Sequence, residues 1–351
     1  MSTSSEEALN WHEFICKMPK VELHLHLEGA FTFETLFQLI QKYGGDPTIR
    51  SIDDLRGRFA YKDFGHFIEV WYWKNRFFRS GEDFEFSTYE TLMGLHRQNV
   101  LYVEAFFSPW DFVGNGISME EITESVISGC KKASNETGIL WNLIFDINRE
   151  CGRDAGMKRL EQMMPYRGRG VVGIGLGGDE RRFPASIYQE VFEEAERRGF
   201  RRTVHAGEAA GPESIRDALT KLKAERIGHG VRAHEDPKVL STLLTQRVPL
   251  EMCVTSNVKT GVVPSVKEHP IRAYLGQGLN VSVNSDDPTM FGSTLTEEYL
   301  LLVDELACTS AEVKKLCLNA VHSAFLDDEK KMRLQERVEE PWKSIPIAIG
   351  E

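Results

Sequence analysis

The chain has 351 residues, 41% hydrophobic and 27% charged, which is a globular balance and enough for one large barrel domain or two smaller ones. A formal net charge of −11 argues against a nucleic-acid backbone binder, which needs a basic surface. The polar start MSTSSEEALNWHEF has no secretory pattern, no apolar run reaches the roughly 18 residues of a membrane span, and none of the six cysteines forms a CxxC pair, so a reduced cytoplasmic enzyme is expected.

The first predicted strand, 21–27, lies in VELHLHLEGA, where Val21, Leu23, Leu25 and Leu27 alternate with Glu22, His24, His26 and Glu28. Residues two apart share a strand face, so two imidazoles and two carboxylates are aimed together, which is costly unless something needs them. Residues 30–98 then carry several helices, including the aromatic run FGHFIEVWYWKNRFF. This insertion follows the end of the first strand; it reads either as a lid over a site or as a local helical core of Phe67, Trp71 and Phe78. Further strands are expected at 100–107, 139–147, 171–176, 202–207, 226–230, 249–254 and 280–285.

Ser118 with Glu121 reads as a capping box, opening a helix on which Ile122, Val126, Ile127 and Cys130 repeat at helical spacing. Helices follow near 152–163, 186–199, 212–223, 237–246 and 270–277. The tail from 293 to about 340 continues as helices, one opened by Thr309 with Glu312. Eight strands alternating with helices predict an α/β fold, a (β/α)8 TIM barrel making a single domain of 1–351. A doubly wound open sheet is the competitor, but its glycine fingerprint is missing: an acidic pair, not a helix start, follows GIGLGG.

On this scaffold the polar clusters fall at carboxyl ends of strands, the face where barrel active sites are built. His24 and His26 end strand one, His205 and Glu208 strand five, His229 strand six, and Asp286 and Asp287 strand eight. Barrel closure makes strands one and eight neighbours, so His24, His26 and Asp286 are expected to meet, with His205 reaching across the mouth. Three imidazoles and a carboxylate suit one zinc with room for a water, and disfavour calcium or magnesium. Such a metal brings a bound water towards neutral pKa as a nucleophile. His12, His66, His96, His234, His269 and His322 have no partners at ligand spacing and are given no role, and the task of Glu22 is not readable. A cytidine-type zinc deaminase is excluded by the lack of PCxxC, and a serine hydrolase by the lack of GxSxG.

In order along the chain, MPKVELHLHLEGA, GLGGDE, TVHAGE, RIGHG, TSNVKTG and VNSDDPTMF resemble the adenosine deaminase family of metal-dependent barrel hydrolases, over about 19–326. The resemblance implies one zinc held by His24, His26, His205 and Asp286, and hydrolytic loss of ammonia from the six position of a purine. Attack on that ring carbon requires protonation of the adjacent ring nitrogen, and Glu208 is placed to give the proton as a neutral acid. His229 is expected to take a proton from the attacking water or to stabilise developing charge, and Asp286 to orient that water. Family likeness pairs Asp287 with purine N7 and the Gly178 N–H with N3; His26 and Glu28 complete the substrate-binding set.

Two positions depart from the adenosine-type pattern. Glu28 stands where adenosine-specific members show Asp, which meets the sugar 5′-hydroxyl, and Gly175 stands where members often show Asp. The expected substrate is a 6-aminopurine nucleoside such as adenosine, with free adenine or aminofutalosine as alternatives. A binuclear amide or phosphoester hydrolase ranks lower, because no bridging lysine follows strand four. Neither nucleic acid nor membrane is expected as a partner, and the oligomeric state is not readable.

Overall fold

A computed structural model describes residues 11–61 and 64–344, apart from the side chains of 64, 65, 67, 68 and 344. Eight parallel strands run in chain order: β1 Lys20–His26, β2 Val100–Phe107, β3 Leu140–Asn148, β4 Val171–Gly177, β5 Arg201–Ala206, β6 Arg226–His229, β7 Leu250–Met252 and β8 Val281–Val283. The ring closes just beyond β8, where Asp286 bridges Leu25: the His26 N–H donates to the Asp286 carbonyl at 2.8 Å, and the Asp286 N–H to the His24 carbonyl at 2.9 Å. Helices cover the outside, so the fold is the expected (β/α)8 barrel. Among the described residues no helix is long and apolar enough to cross a membrane, and all six cysteines are free.

Amphipathic spacing explains the outer layer. The helix Met119–Thr137 buries Ile122, Val126, Ile127 and Cys130, each aliphatic side chain contributing roughly 1.5–3 kcal/mol. Its cap is half as expected. The Ser118 hydroxyl accepts the Glu121 N–H, but the Glu121 carboxylate turns away to accept the Gly81 N–H of the insertion at 3.0 Å. Thr309 and Glu312 do form the full reciprocal box.

Several strands end earlier than their sequence suggests. β1 stops at His26, and Leu27–Ala30 is a single helical turn, so Glu28 is not in line with the two histidines. β7 stops at Met252, because Val254–Lys259 winds into a helix; β8 stops at Val283, before the left-handed Asp286.

The barrel interior is polar rather than filled with branched aliphatics. Below the rim, the buried Arg226 pairs with Glu104 at 2.6 Å and Glu251 at 2.5 Å, and its guanidinium lies 3.6 Å from the centre of the Phe325 ring. The Tyr102 hydroxyl donates to Glu104 at 2.6 Å, and the Phe325 N–H does so at 2.5 Å. Phe325, carried by the C-terminal helices, thus packs with Phe106 and Ile144 under the site. A charge buried this way needs every partner, since removing one strands the other.

Candidate metal centre and catalytic pocket

At the carboxyl end of the strands, β1, β5 and the residues after β8 bring four side chains together. His26 Nε2 stands 3.0 Å from His205 Nε2 and 3.4 Å from Asp286 Oδ1, and His24 Nε2 stands 3.6 Å from that same oxygen. One donor atom from each of the four residues lies within 4.8 Å of every other. Burial pushes all three imidazoles below their ordinary range, His26 to about 3, so each presents a neutral ring with a lone pair. His24 Nε2 is buried without a hydrogen-bond partner, while its Nδ1 is held by Glu251 at 2.8 Å. A buried lone pair fixed by a carboxylate on the opposite ring atom is the arrangement of a metal-ligating histidine. Three nitrogens and one carboxylate oxygen converging on one point fit zinc.

Two residues of this rim sit in the left-handed region that side chains avoid: His229 and Asp286, both with φ of 61°. Such a conformation costs on the order of 1–3 kcal/mol and persists only where the surroundings enforce it. For Asp286 the enforcement is the pair of backbone bonds to β1 that closes the barrel.

Around the metal donors stand the predicted acid and base. Glu208 Oε2 is 3.6 Å from His229 Nε2, which is 3.9 Å from Asp286 Oδ2. Burial, then the nearby Glu180, pushes the Glu208 carboxyl up to about 8, so it is protonated at neutral pH. Glu180 also positions it: its carboxylate accepts the N–H groups of Gly207, Glu208 and Ala210 at 2.6, 3.2 and 2.8 Å. GLGGDE and TVHAGE are therefore one unit, with the acid of the first pinning the loop of the second.

Asp287 lies beside Asp286, buried, with Oδ1 lacking a partner; burial and then Asp286 push its carboxyl well above the usual range. Gly178, at φ +96°, carries exposed backbone at the end of β4, and a Cβ there would fall 2.5 Å from Glu150. Glu28, on its helical turn, accepts the Ser108 N–H at 2.5 Å and is pushed up to about 7, mainly by burial.

Several residues of the pocket carry no legible sequence signal. Asp146 pairs in register with Gly175, and a Cβ on Gly175 would fall 2.5 Å from Asp146 Oδ1. The missing β4 aspartate at 175 is thus matched by a β3 carboxylate filling its space. Asp146 Oδ1 has no partner, and burial, then Glu28 and Asp111, raises its carboxyl well above normal. From the insertion helix Phe64–Asn75, the buried Lys74 lies within electrostatic reach of Glu28, Asp287 and Asp111; burial lowers it to about 8. Tyr61 of the insertion donates to Met290 Sδ at 3.5 Å. The insertion thus reaches pocket residues through Lys74 and Tyr61 and also builds a core, in which Phe78 meets Phe31, Phe84 and Phe112; the Phe67 side chain lies outside the described residues.

Glu251 and Glu104 did have a signal: each is a lone acid in an apolar strand, as Glu22 is. Glu22 accepts the Ser285 hydroxyl at 2.7 Å, which braces the segment before Asp286. His269, set aside from the sequence, is buried and bonded to Asn257 at 3.1 Å.

The profile of the family described as adenosine deaminase matches residues 19–341. An adenine deaminase of Acinetobacter baylyi is 33% identical over 330 residues, 94% of this chain and 99% of that one. An aminodeoxyfutalosine deaminase of Streptomyces avermitilis is 36% identical over 330 residues, 93% of this chain and 92% of that one. Among solved structures, an adenine deaminase from Arthrobacter aurescens has a TM-score of 0.88 at 31% identity, covering 93% of this chain and 100% of that one. An amidohydrolase from Burkholderia ambifaria, solved with bound Zn, has a TM-score of 0.87 at 26% identity, covering 97% and 96%. A rim of this geometry and a profile match over almost the whole barrel make the chain a deaminating hydrolase of the adenosine deaminase family.

Proposed function

We propose that the chain removes ammonia hydrolytically from free adenine, with one zinc held by His24, His26, His205 and Asp286. The observation that carries the choice of a free base is Glu28. It is 3% exposed, tied to the Ser108 N–H, and backed by the buried Asp146 and Lys74. A buried carboxyl of raised pKa, already tied to a backbone N–H, suits a partner that is a ring N–H of the base rather than a sugar hydroxyl. The adenine deaminases of Acinetobacter baylyi and Arthrobacter aurescens support this reading over the adenosine expected from the sequence. A second reading, aminodeoxyfutalosine, is favoured by the 36% identity to the Streptomyces avermitilis relative.

Bound in this site, zinc supplies the Lewis acidity that lets water react near neutral pH. The chain's own residues do the rest. Protonated Glu208 gives its proton to the ring nitrogen beside C6, which makes that carbon electrophilic. Asp286 and His229 orient the attacking water, Asp287 holds N7, and the Gly178 N–H meets N3. The Asp286 carboxylate takes the proton that the water loses and passes it to the departing amino group, and the remaining hydroxyl proton returns to Glu208. Adenine and water become the 6-oxopurine and ammonia.

Ammonia release from adenine, adenosine and aminodeoxyfutalosine, followed with the zinc-loaded enzyme, tests the substrate. Adenine is expected to be turned over with the highest kcat/KM. Turnover of either nucleoside with adenine untouched would replace the free-base reading.

A further inference from the structure

His229 is the end of a buried hydrogen-bonded chain whose direction can be read from one unambiguous donor. The chain runs from the backbone of Ile271, through His269 and Asn257, to the His229 ring. His229 is 1% exposed, Asn257 0% and His269 4%, so the whole chain of hydrogen bonds is buried. Because Pro270 has no N–H, the first backbone donor after His269 is Ile271, which opens the helical turn Ile271–Gly276.

The Ile271 N–H points at His269 Nδ1 over 3.3 Å. A backbone N–H can only donate, so Nδ1 must be the acceptor, and the hydrogen of a neutral His269 sits on Nε2. Burial drives His269 down to about 3, so the ring is neutral. His269 Nε2 therefore donates to the Asn257 side chain, 3.1 Å away, which must present its oxygen there. The amide nitrogen of Asn257 is then left to face His229 Nδ1, also at 3.1 Å. The opposite amide orientation would set two donors against each other, either at His269 Nε2 or at its Nδ1. The Asn257 backbone is itself pinned, donating to the Cys253 carbonyl at 3.0 Å and accepting the Val263 N–H at 2.9 Å.

From this chain we infer that Asn257 and His269 are positioning residues that hold His229 as the tautomer with its hydrogen on Nε2, so that His229 acts as a hydrogen-bond donor to the reacting water and not as the base that deprotonates it. The only lone pair of the neutral ring is on Nδ1, and the Asn257 amide occupies it. Nε2, carrying its hydrogen, is the atom that faces Glu208 and Asp286 at 3.6 and 3.9 Å. Of the two roles open to His229 in the sequence, this selects charge stabilisation. The left-handed backbone at His229 (φ 61°) aims the ring at both Asn257 and the site.

The inference rests on the deaminase reading for what Nε2 faces, but the tautomer can be measured without substrate. In zinc-loaded enzyme labelled with 15N-histidine, the His229 and His269 signals are assigned by their loss in His229→Asn and His269→Gln. Both rings are expected to show a protonated Nε2 and an unprotonated Nδ1. A His229 ring protonated at Nδ1 overturns the inference whatever the enzyme's substrate proves to be.

Kinetics supply the second arm, on whichever purine the wild type turns over. His269→Gln keeps a donor near the Nε2 position and is expected to retain most of the turnover. His269→Met has no donor for the Asn257 oxygen, frees the Asn257 amide to turn around, and permits hydrogen on His229 Nδ1. It is expected to lose kcat by a hundredfold or more with KM changed less than threefold, a wrong tautomer costing up to about 10⁴ in kcat. Equal kcat in the two variants, both folded and zinc-loaded, would refute the positioning role. Loss of activity on every purine by the wild type, with the tautomer as stated, would instead sink only the deaminase reading.

Discussion

The two ends of the pocket are built differently. The metal end is made of strand termini: His24 and His26 close β1, His205 lies in β5, and Asp286 is bonded to β1 through both its backbone groups. The far end is mostly built outside the ladder, by Glu28 on a single helical turn and Lys74 on the insertion, with one strand residue, Asp146 of β3, filling the space over Gly175. Strand ends are fixed by the ladder on both sides, so donors placed there hold their spacing to within what a metal tolerates. Loop and insertion residues carry no such constraint, and can be exchanged without moving the chemistry. The expectation is that changes in the ladder alter the rate of reaction and changes in the parts hung from it alter substrate choice.

The largest effect is expected at the metal end. Glu208→Gln keeps the size and removes the proton, so turnover should fall by about 10²–10⁴-fold with zinc content, measured by atomic emission, unchanged. Near-normal turnover in this variant would move the acid elsewhere. The same carboxyl predicts a pH limb. Its pKa is raised to about 8, so the protonated, active form is full below that value and is lost as pH rises through it. The decline of kcat/KM on the alkaline side should therefore disappear in Glu208→Gln.

Next comes Glu251, which touches no substrate. It fixes His24 Nδ1 at 2.8 Å and pairs with Arg226, so Glu251→Gln weakens the histidine's orientation while preserving shape. A loss of about 10–100-fold in zinc affinity is expected in chelator competition. Unaltered affinity would mean that the β1 ladder alone orients His24.

What was legible in the sequence follows the same division. Alternation in VELHLHL and the strand-end positions of HAGE and SDDP were enough to predict that His24, His26, His205 and Asp286 converge, because period-two patterning is a local rule and barrel closure is fixed by topology. Glu28 shows where that logic stops: the pattern carried it on as a strand residue, but β1 ends at His26 and a helical turn swings it to Ser108. Asp146 and Lys74 were invisible because their meaning lies in neighbours far along the chain, Gly175 across β4 for one and Glu28 for the other. His269 was discarded for lacking a ligand spacing, and its partner is an asparagine twelve residues away, which no histidine motif announces.

The far end can be tested by moving a carboxylate from one strand to its neighbour. Gly175→Asp alone would drive its Cβ to 2.5 Å from Asp146 Oδ1 and set two buried acids together. It should be destabilised and poorly active. Adding Asp146→Gly should recover much of the loss, with a coupling of roughly 0.5–3 kcal/mol in thermal or denaturant unfolding. Simple additivity of the two changes would show that the sites do not share one space.

The smallest effect should come from the charge on the insertion. Lys74 lies within electrostatic reach of Glu28, Asp111 and Asp287, and it donates to its neighbour Asn75 at 2.9 Å. Lys74→Met removes the cation and keeps the bulk against Trp71, so Glu28 loses a favourable field and stays protonated to higher pH. Because Lys74 stands apart from the metal donors, kcat on the best substrate should hardly move. The ratio of adenine to nucleoside turnover should shift by no more than about tenfold, on the order of 1 kcal/mol. Glu28→Asp, which withdraws the carboxyl by one methylene from the Ser108 N–H, should shift the same ratio further in competition assays with the two substrates mixed. If instead both variants lower kcat on every purine alike, the insertion takes part in chemistry as well as choice, and the division between ladder and loop fails at this point.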